Sequence, residues 1–174
     1  MLPINSAFAF NPDLPRIGVG AKPQLSAKAE LTGKLSASER KVPDREVACL
    51  ADAIYFEARG ESVKGQEAVA QVIINRTTTG YYPKTICGVV YQNRDKRNAC
   101  QFSFACDGKA EVKSEAKAWR RAKRIAREMT SGEKQVAALE TATHYHATYV
   151  KPRWARKMKR LSKIGSHIFY HEDR

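Results

Sequence analysis

The chain has no apolar run long enough to cross a membrane as a helix. It has no H-E-x-x-H and no C-x-x-C pair, so two common zinc signatures are missing. No helix-turn-helix, zinc-finger or RNP pattern is present, and no internal repeat. Acidic residues are scarce: 18 Asp and Glu against 31 Lys and Arg, a net charge of +13 and a pI near 9.8. Such a surface suits an anionic partner, whether nucleic acid, a membrane surface or an acidic polymer such as cell wall. The charge is concentrated, with 15 Lys and Arg against 4 Glu in residues 113–163. A solvated, solubilising face is the competing reading of that segment.

Proline is sparse where a domain is expected. Five of the seven prolines (Pro3, Pro12, Pro15, Pro23 and Pro43) fall in residues 1–43. That stretch has little hydrophobic periodicity and reads as a flexible N-terminal extension or linker. Within it, Ala7-Phe8-Ala9 resembles an A-x-A cleavage site, although neither a basic n-region nor a full apolar h-region precedes it. One reading is that these residues are the stump of a longer export signal.

The domain is expected over 44–174, with Asp44 as helix N-cap. Val47, Leu50, Ala51 and Ile54 recur at helical spacing, and Gly60 supplies a stop. Glu57 continues the apolar stripe into the last turn. Burial and the negative end of the helix dipole both favour its protonated form, which is what cleavage of a glycosidic bond requires. The competing reading is a buried Glu paired with Arg59 or another cation. Ser62 is expected to cap a second helix ending near Asn75-Arg76, whose side chains bond the following loop. A short helix from Pro83, a polar loop at 93–99 and a strand over Cys100–Phe104 follow. A long helix over 111–131 carries a stripe of Ala118, Ala122, Ile125, Ala126 and Met129. Two alternating runs, 143–149 and 164–170, read as strands. The order predicts a small α+β domain.

Four cysteines, Cys49, Cys87, Cys100 and Cys106, are an even number. In an exported protein they form two disulfides by one of three connectivities; in the cytosol they remain thiols. If Cys100–Cys106 is one extended strand, its sulfurs lie roughly 20 Å apart and cannot join. Cys87–Cys100 with Cys49–Cys106 is then one option.

Several runs stand in order: Ile54-Tyr55-Phe56-Glu57-Ala58-Arg59-Gly60-Glu61, Gly65-Gln66-Glu67-Ala68-Val69-Ala70 and Val72-Ile73-Ile74-Asn75-Arg76. They continue with Thr85-Ile86-Cys87-Gly88-Val89-Val90-Tyr91-Gln92, Cys100-Gln101-Phe102-Ser103-Phe104-Ala105-Cys106-Asp107-Gly108, Thr143-His144-Tyr145-His146-Ala147 and Ile164-Gly165-Ser166-His167-Ile168-Phe169-Tyr170. This series, covering about residues 46–170, resembles the SleB/CwlJ cell-wall hydrolases. The resemblance implies a lysozyme-like fold and cleavage of peptidoglycan glycan strands, with no cofactor. Better-known members act as lytic transglycosylases, with a general acid at the position of Glu57. The cysteine-bearing motifs resemble the Gram-negative branch, which implies a periplasmic or cell-envelope location.

A hydrolytic mechanism needs a second carboxylate, for which Glu61 and Asp107 are the candidates, while a lytic transglycosylase needs none. Gly60 is expected to break the helix before Glu61, and Asp107 to hold an Asp-Gly turn. Gln101 and Ser103 are candidates to line a sugar cleft while Phe102 and Phe104 enter the core. His144 and His146 share one strand face and Tyr145 the other, and one face is expected to line the groove. Trp154 is a candidate to stack on a pyranose ring, or simply a core residue. A zinc site built from His144 and His146 with His167 or Glu57 is the rival mechanism. A basic nucleic-acid- or wall-binding module without catalysis is the rival class.

Overall fold

The computed structural model describes residues 42–96 and 99–173. The expected flexible extension and its Ala7-Phe8-Ala9 run lie outside the described residues. So do two positions of the 93–99 loop, Arg97 and Asn98.

Helix α1 runs Asp44–Ala58, α2 Val63–Thr78, α3 Ile86–Val90 and α4 Ala116–Thr130. Strands β1 (His144–Ala147), β2 (Lys159–Ile164) and β3 (His167–His171) form an antiparallel sheet in the order β1-β3-β2. Leu50, Ala51 and Ile54 are fully buried on α1, as their spacing predicts. They pack with Val69 and Ile73 of α2, Val89 and Val90 of α3, and Ala122, Ile125 and Ala126 of α4. A second cluster joins Ala68 and Val72 of α2 to Leu139, Ala142, Ile164 and Phe169. Helix α2 therefore lies between the helical core and the sheet. Tyr145 packs against both clusters.

The capping expectations hold in part. The Ser62 hydroxyl accepts from the Gly65 amide at 3.2 Å, starting α2. Pro43, not Asp44, occupies the N-cap of α1, and Asp44 is its first helical residue beside the positive end of the dipole. Helix α4 begins at Ala116 rather than Glu111. Side chains tie the preceding turn down: Lys113 pairs with Asp52 at 3.1 Å, and the Glu115 amide donates to the Tyr55 hydroxyl at 3.1 Å.

The expected Cys100–Phe104 strand is instead a bend followed by a 3-10 turn over Ser103–Ala105. Phe102 and Phe104 still enter the core, as two anchors of a compact loop. This overturns the cysteine argument. The loop folds back within six residues, so Cys100 pairs with Cys106, and Cys49 pairs with Cys87. Cys49–Cys87 joins α1 to α3 beside a second link, the Cys87 amide donating to Glu46 Oε2 at 3.0 Å.

Strand β2 was not expected. It forms a hairpin with β3 around Gly165-Ser166, with an irregularity between Arg160 and Ser162 that leaves Leu161 extra. Gly165 adopts φ +58, open to glycine at little cost. A Cβ there would also land on Glu61 Oε2, so the hairpin tip sits hard against the turn that follows α1.

Candidate active site

Glu57 sits half-buried in the last turn of α1, a turn with no basic residue of its own at the helix's negative end. Burial pushes its carboxyl above the usual carboxylate range. Arg59 is not its partner. The Arg59 guanidinium donates to Glu115 at 2.8 Å and lies 5.4 Å from the Tyr55 ring centre. Among the described residues, no cation pairs with Glu57. The exposed end of α1 is closed by other groups: Arg121 donates to the Arg59 carbonyl at 3.0 Å, and Gln66 to the Glu61 carbonyl at 3.0 Å.

Tyr145 is a sheet residue near enough to feel the Glu57 charge. Its phenol is held protonated, first by burial and then by the Glu57 charge, against an opposing pull from Arg76. Arg76 lies behind it, 3% exposed, donating to the Thr143 carbonyl at 2.7 Å and stacked 4.9 Å from the Tyr82 ring centre. Burial lowers the pKa of its guanidinium, and one terminal nitrogen has no hydrogen-bond partner. Asn75 donates at 2.8 Å to both the Leu139 and Ala142 carbonyls, and Gln71 accepts from the Val136 amide at 3.1 Å. Thus Asn75 and Arg76 bond the distant 139–143 segment, and Arg76 also engages Tyr82 in the loop after its own helix, as expected. Their role is to place β1, and with it Tyr145, opposite α1.

The candidate second carboxylates are both engaged. Glu61 accepts from the Ser166 hydroxyl and from the Ser166 amide at 3.3 Å, with His167 Nδ1 at 3.6 Å. The Ser166 hydroxyl is the main cause holding its carboxyl below the usual range. Asp107 accepts from the Lys109 amide at 2.9 Å, closing its own turn as expected. It also borders a cleft of about 210 Å³ beside the end of α1, with Tyr55, Phe56, Arg59, Phe104 and Glu111.

Other predicted site residues fall elsewhere. Gln101 and Ser103 lie in the bend and 3-10 turn, not on a strand, so alternation does not assign them a shared face. His144 and His146 alternate with Tyr145, and so project from the other face of β1. There they meet Trp154, with ring centres 5.3 and 5.6 Å away. Trp154 is half-buried against these rings and Tyr170, outside both apolar core clusters. His146 is bonded at both nitrogens, at 2.9 Å to the Ala147 carbonyl and 2.9 Å to the Tyr170 hydroxyl. Among the described residues, no three His, Cys, Asp or Glu converge as metal ligands.

Sequence reasoning missed Ser166 as the partner of Glu61. A signal was available: Gly165-Ser166 is a dipeptide of the kind that fills two-residue hairpin turns.

The sequence profile described as cell wall hydrolase matches residues 60–170. A spore cortex-lytic enzyme of Bacillus cereus is 28% identical over 124 residues, 71% of this chain and 43% of that protein. The corresponding enzyme of Oceanobacillus iheyensis is 28% identical over 71% of this chain and 41% of its own length. The chain therefore spans less than half of these curated relatives. Among solved structures, the catalytic domain of the Bacillus cereus SleB protein superposes with a TM-score of 0.58 at 26% identity, covering 79% of this chain and 98% of that domain. The catalytic domain of the germination-specific lytic transglycosylase SleB from Bacillus anthracis gives 0.57 at 27% identity, covering 75% and 98%. The helices with a small antiparallel sheet are thus the fold of those catalytic domains. With the profile matched over most of the described residues, the chain belongs to the cell wall hydrolase family.

Proposed function

We propose that this chain cleaves the glycan strand of peptidoglycan between N-acetylmuramic acid and N-acetylglucosamine, as a lytic transglycosylase with Glu57 as its general acid and base. One observation carries the reading: Glu57 is a half-buried carboxyl with a raised pKa and no cationic partner among the described residues. The neighbour from Bacillus anthracis, described as a lytic transglycosylase, supports the same class.

In the proposed reaction the Glu57 carboxyl donates its proton to the glycosidic oxygen as the C1–O bond breaks. The C6 hydroxyl of the muramic acid attacks its own C1, and the Glu57 carboxylate takes that hydroxyl's proton. The acid is regenerated, no water is consumed, and the product is a 1,6-anhydro sugar. The engagement of Glu61 by Ser166 and of Asp107 by its own turn favours this route over a two-carboxylate one. Tyr145, held protonated, is suited to hydrogen-bond the carboxylate when the proton has left. A peptidoglycan substrate and the two disulfides both support a location outside the cytoplasm, in the periplasm or cell envelope.

Mass spectrometry of digested sacculi tests the reading, with 1,6-anhydro-muropeptides expected. Reducing-end products only would make it a hydrolase. Glu57→Gln should fold and lose at least ~10²-fold in rate. A folded Glu57→Gln variant with near-normal lysis would overturn the assignment.

A further inference from the structure

The sheet has two faces with different chemistry. Tyr145 and Phe169 turn toward the helical clusters. Ile168 and Tyr170 alternate with Phe169, and pair across the sheet with His146 and His144. On that outer face the 148–156 segment arches over β1 and β3, leaving a cleft of about 580 Å³. This lies within the roughly 300–1,000 Å³ range of ligand pockets.

The cleft is amphiphilic. Its floor is Ile168 and the His146–Tyr170 pair, stacked with ring centres 5.3 Å apart. Its rim carries Lys151, Arg153 and Arg156, and no acidic residue lines it. None of these three cations forms an ion pair with a described residue. The surrounding sequence reinforces the bias: residues 141–171 hold seven Lys and Arg and no Asp or Glu. A few cations elsewhere do find acids, as with Lys113–Asp52 and Arg124–Glu128. Three unneutralised cations around an apolar floor match a short peptide bearing free carboxylates better than a neutral sugar, which offers no charge to pair.

We infer that this cleft is a second binding site, on the sheet face turned away from Tyr145, which takes the carboxylate-bearing stem peptides of peptidoglycan. The inference rests on the proposed wall substrate. Arg153 and Arg156 grip the carboxylates, and Ile168 and Tyr170 pack the aliphatic side chains.

The probe is a soluble stem tetrapeptide without glycan, titrated into the wild-type protein and followed by Trp154 fluorescence and by amide NMR. Binding should perturb Thr148 and Tyr170, and not Tyr145. Amidating the peptide carboxyls, or the double variant Arg153→Gln/Arg156→Gln, should weaken it by at least about tenfold, the loss expected from one charge-assisted contact. Arg153→Lys/Arg156→Lys should recover part of the affinity, separating charge from folding. No binding of the free peptide, equal binding of the amidated form, or shifts centred on Tyr145 would overturn the inference. So would tighter binding of a short DNA oligomer at the same residues, which would mark a general polyanion surface. Assay of anhydro-muropeptide release from sacculi separates the two readings. Peptide binding without glycan products refutes the proposed function alone, and products without peptide binding refute this site alone.

Discussion

Replacing Glu61 by Gln and by Ala separates two roles for the carboxylate that follows Gly60. In the structure it is a latch. It accepts the hydroxyl and the amide of Ser166 across 105 positions of sequence and so fastens the β2–β3 hairpin to the α1–α2 junction. Hydrogen bonds to a charged group contribute about 1.5–3 kcal/mol when shielded, and exposed ion pairs about 0–1. The Glu61 side chain is 15% exposed and Ser166 is exposed, so about 1 kcal/mol per bond is a fair middle value. Glu61→Ala should cost roughly 2 kcal/mol, and Glu61→Gln, which keeps an acceptor oxygen, about half of that. For a domain of this size 1 kcal/mol moves Tm by roughly 3–5 °C, so the Ala variant should melt about 6–10 °C lower. The pH dependence has a definite sign. The folded carboxyl lies below its ordinary value of 4.5, so the latch stabilises at neutral pH and is lost as pH falls through the depressed value. The melting gap between wild type and Glu61→Ala should therefore close in acid. Muropeptide release at 25 °C, where all variants are folded, should stay within about threefold of wild type, since only stability is perturbed. A Glu61→Gln variant with wild-type Tm and a rate down ~10²-fold or more would refute the latch and make Glu61 the second catalytic carboxylate.

Because burial raises the Glu57 pKa and the proposed reaction uses its protonated form, turnover should be flat in acid and fall about tenfold per pH unit above that raised value; a rate that climbs steadily from pH 5 to 9 would contradict it. Asn75→Ala removes buried bonds to the Leu139 and Ala142 carbonyls and to Gln71, so denaturant unfolding should register a loss of about 3–5 kcal/mol. Opening Cys49–Cys87, with 38 residues of separation, should destabilise by about 4 kcal/mol and opening Cys100–Cys106, with 6, by about 2, from chain entropy. Calorimetry of the two Cys→Ser double variants orders them, and the reverse order would contradict the entropic account. Sacculus binding should weaken as salt rises from 0.1 to 1 M, where the Debye length shrinks from ~10 to ~3 Å; salt-independent binding would place recognition in uncharged contacts.

Local patterns were readable directly. The apolar spacing of Leu50, Ala51 and Ile54, and of Ala118 through Met129, marks helix faces that any core must cover. Ser62 announces its helix because a cap acts within three residues. Glu57 stood out for the same reason: its place on a buried stripe and at a helix end are both local properties. Strand β2 was illegible, since Lys159, Arg160 and Lys163 are exposed charges that mask any alternation, and only pairing with β3 makes it a strand. Chain reversal at Ser103–Ala105 decided the disulfides, because spacing in sequence limits reach only for an extended chain. Tertiary structure also decided which face of β1 turns toward the core and Glu57. Alternation separates Tyr145 from His144 and His146, but the buried bonds of Asn75 and Arg76 to residues 139–143 set which side turns inward. Sequence by itself thus determined the helix faces, the candidate acid and the charge, which depend on composition and on neighbours a few residues away. The surroundings of Glu57 and Glu61 were left to the tertiary fold, because Tyr145 comes near the first and Ser166 near the second only when distant segments pack.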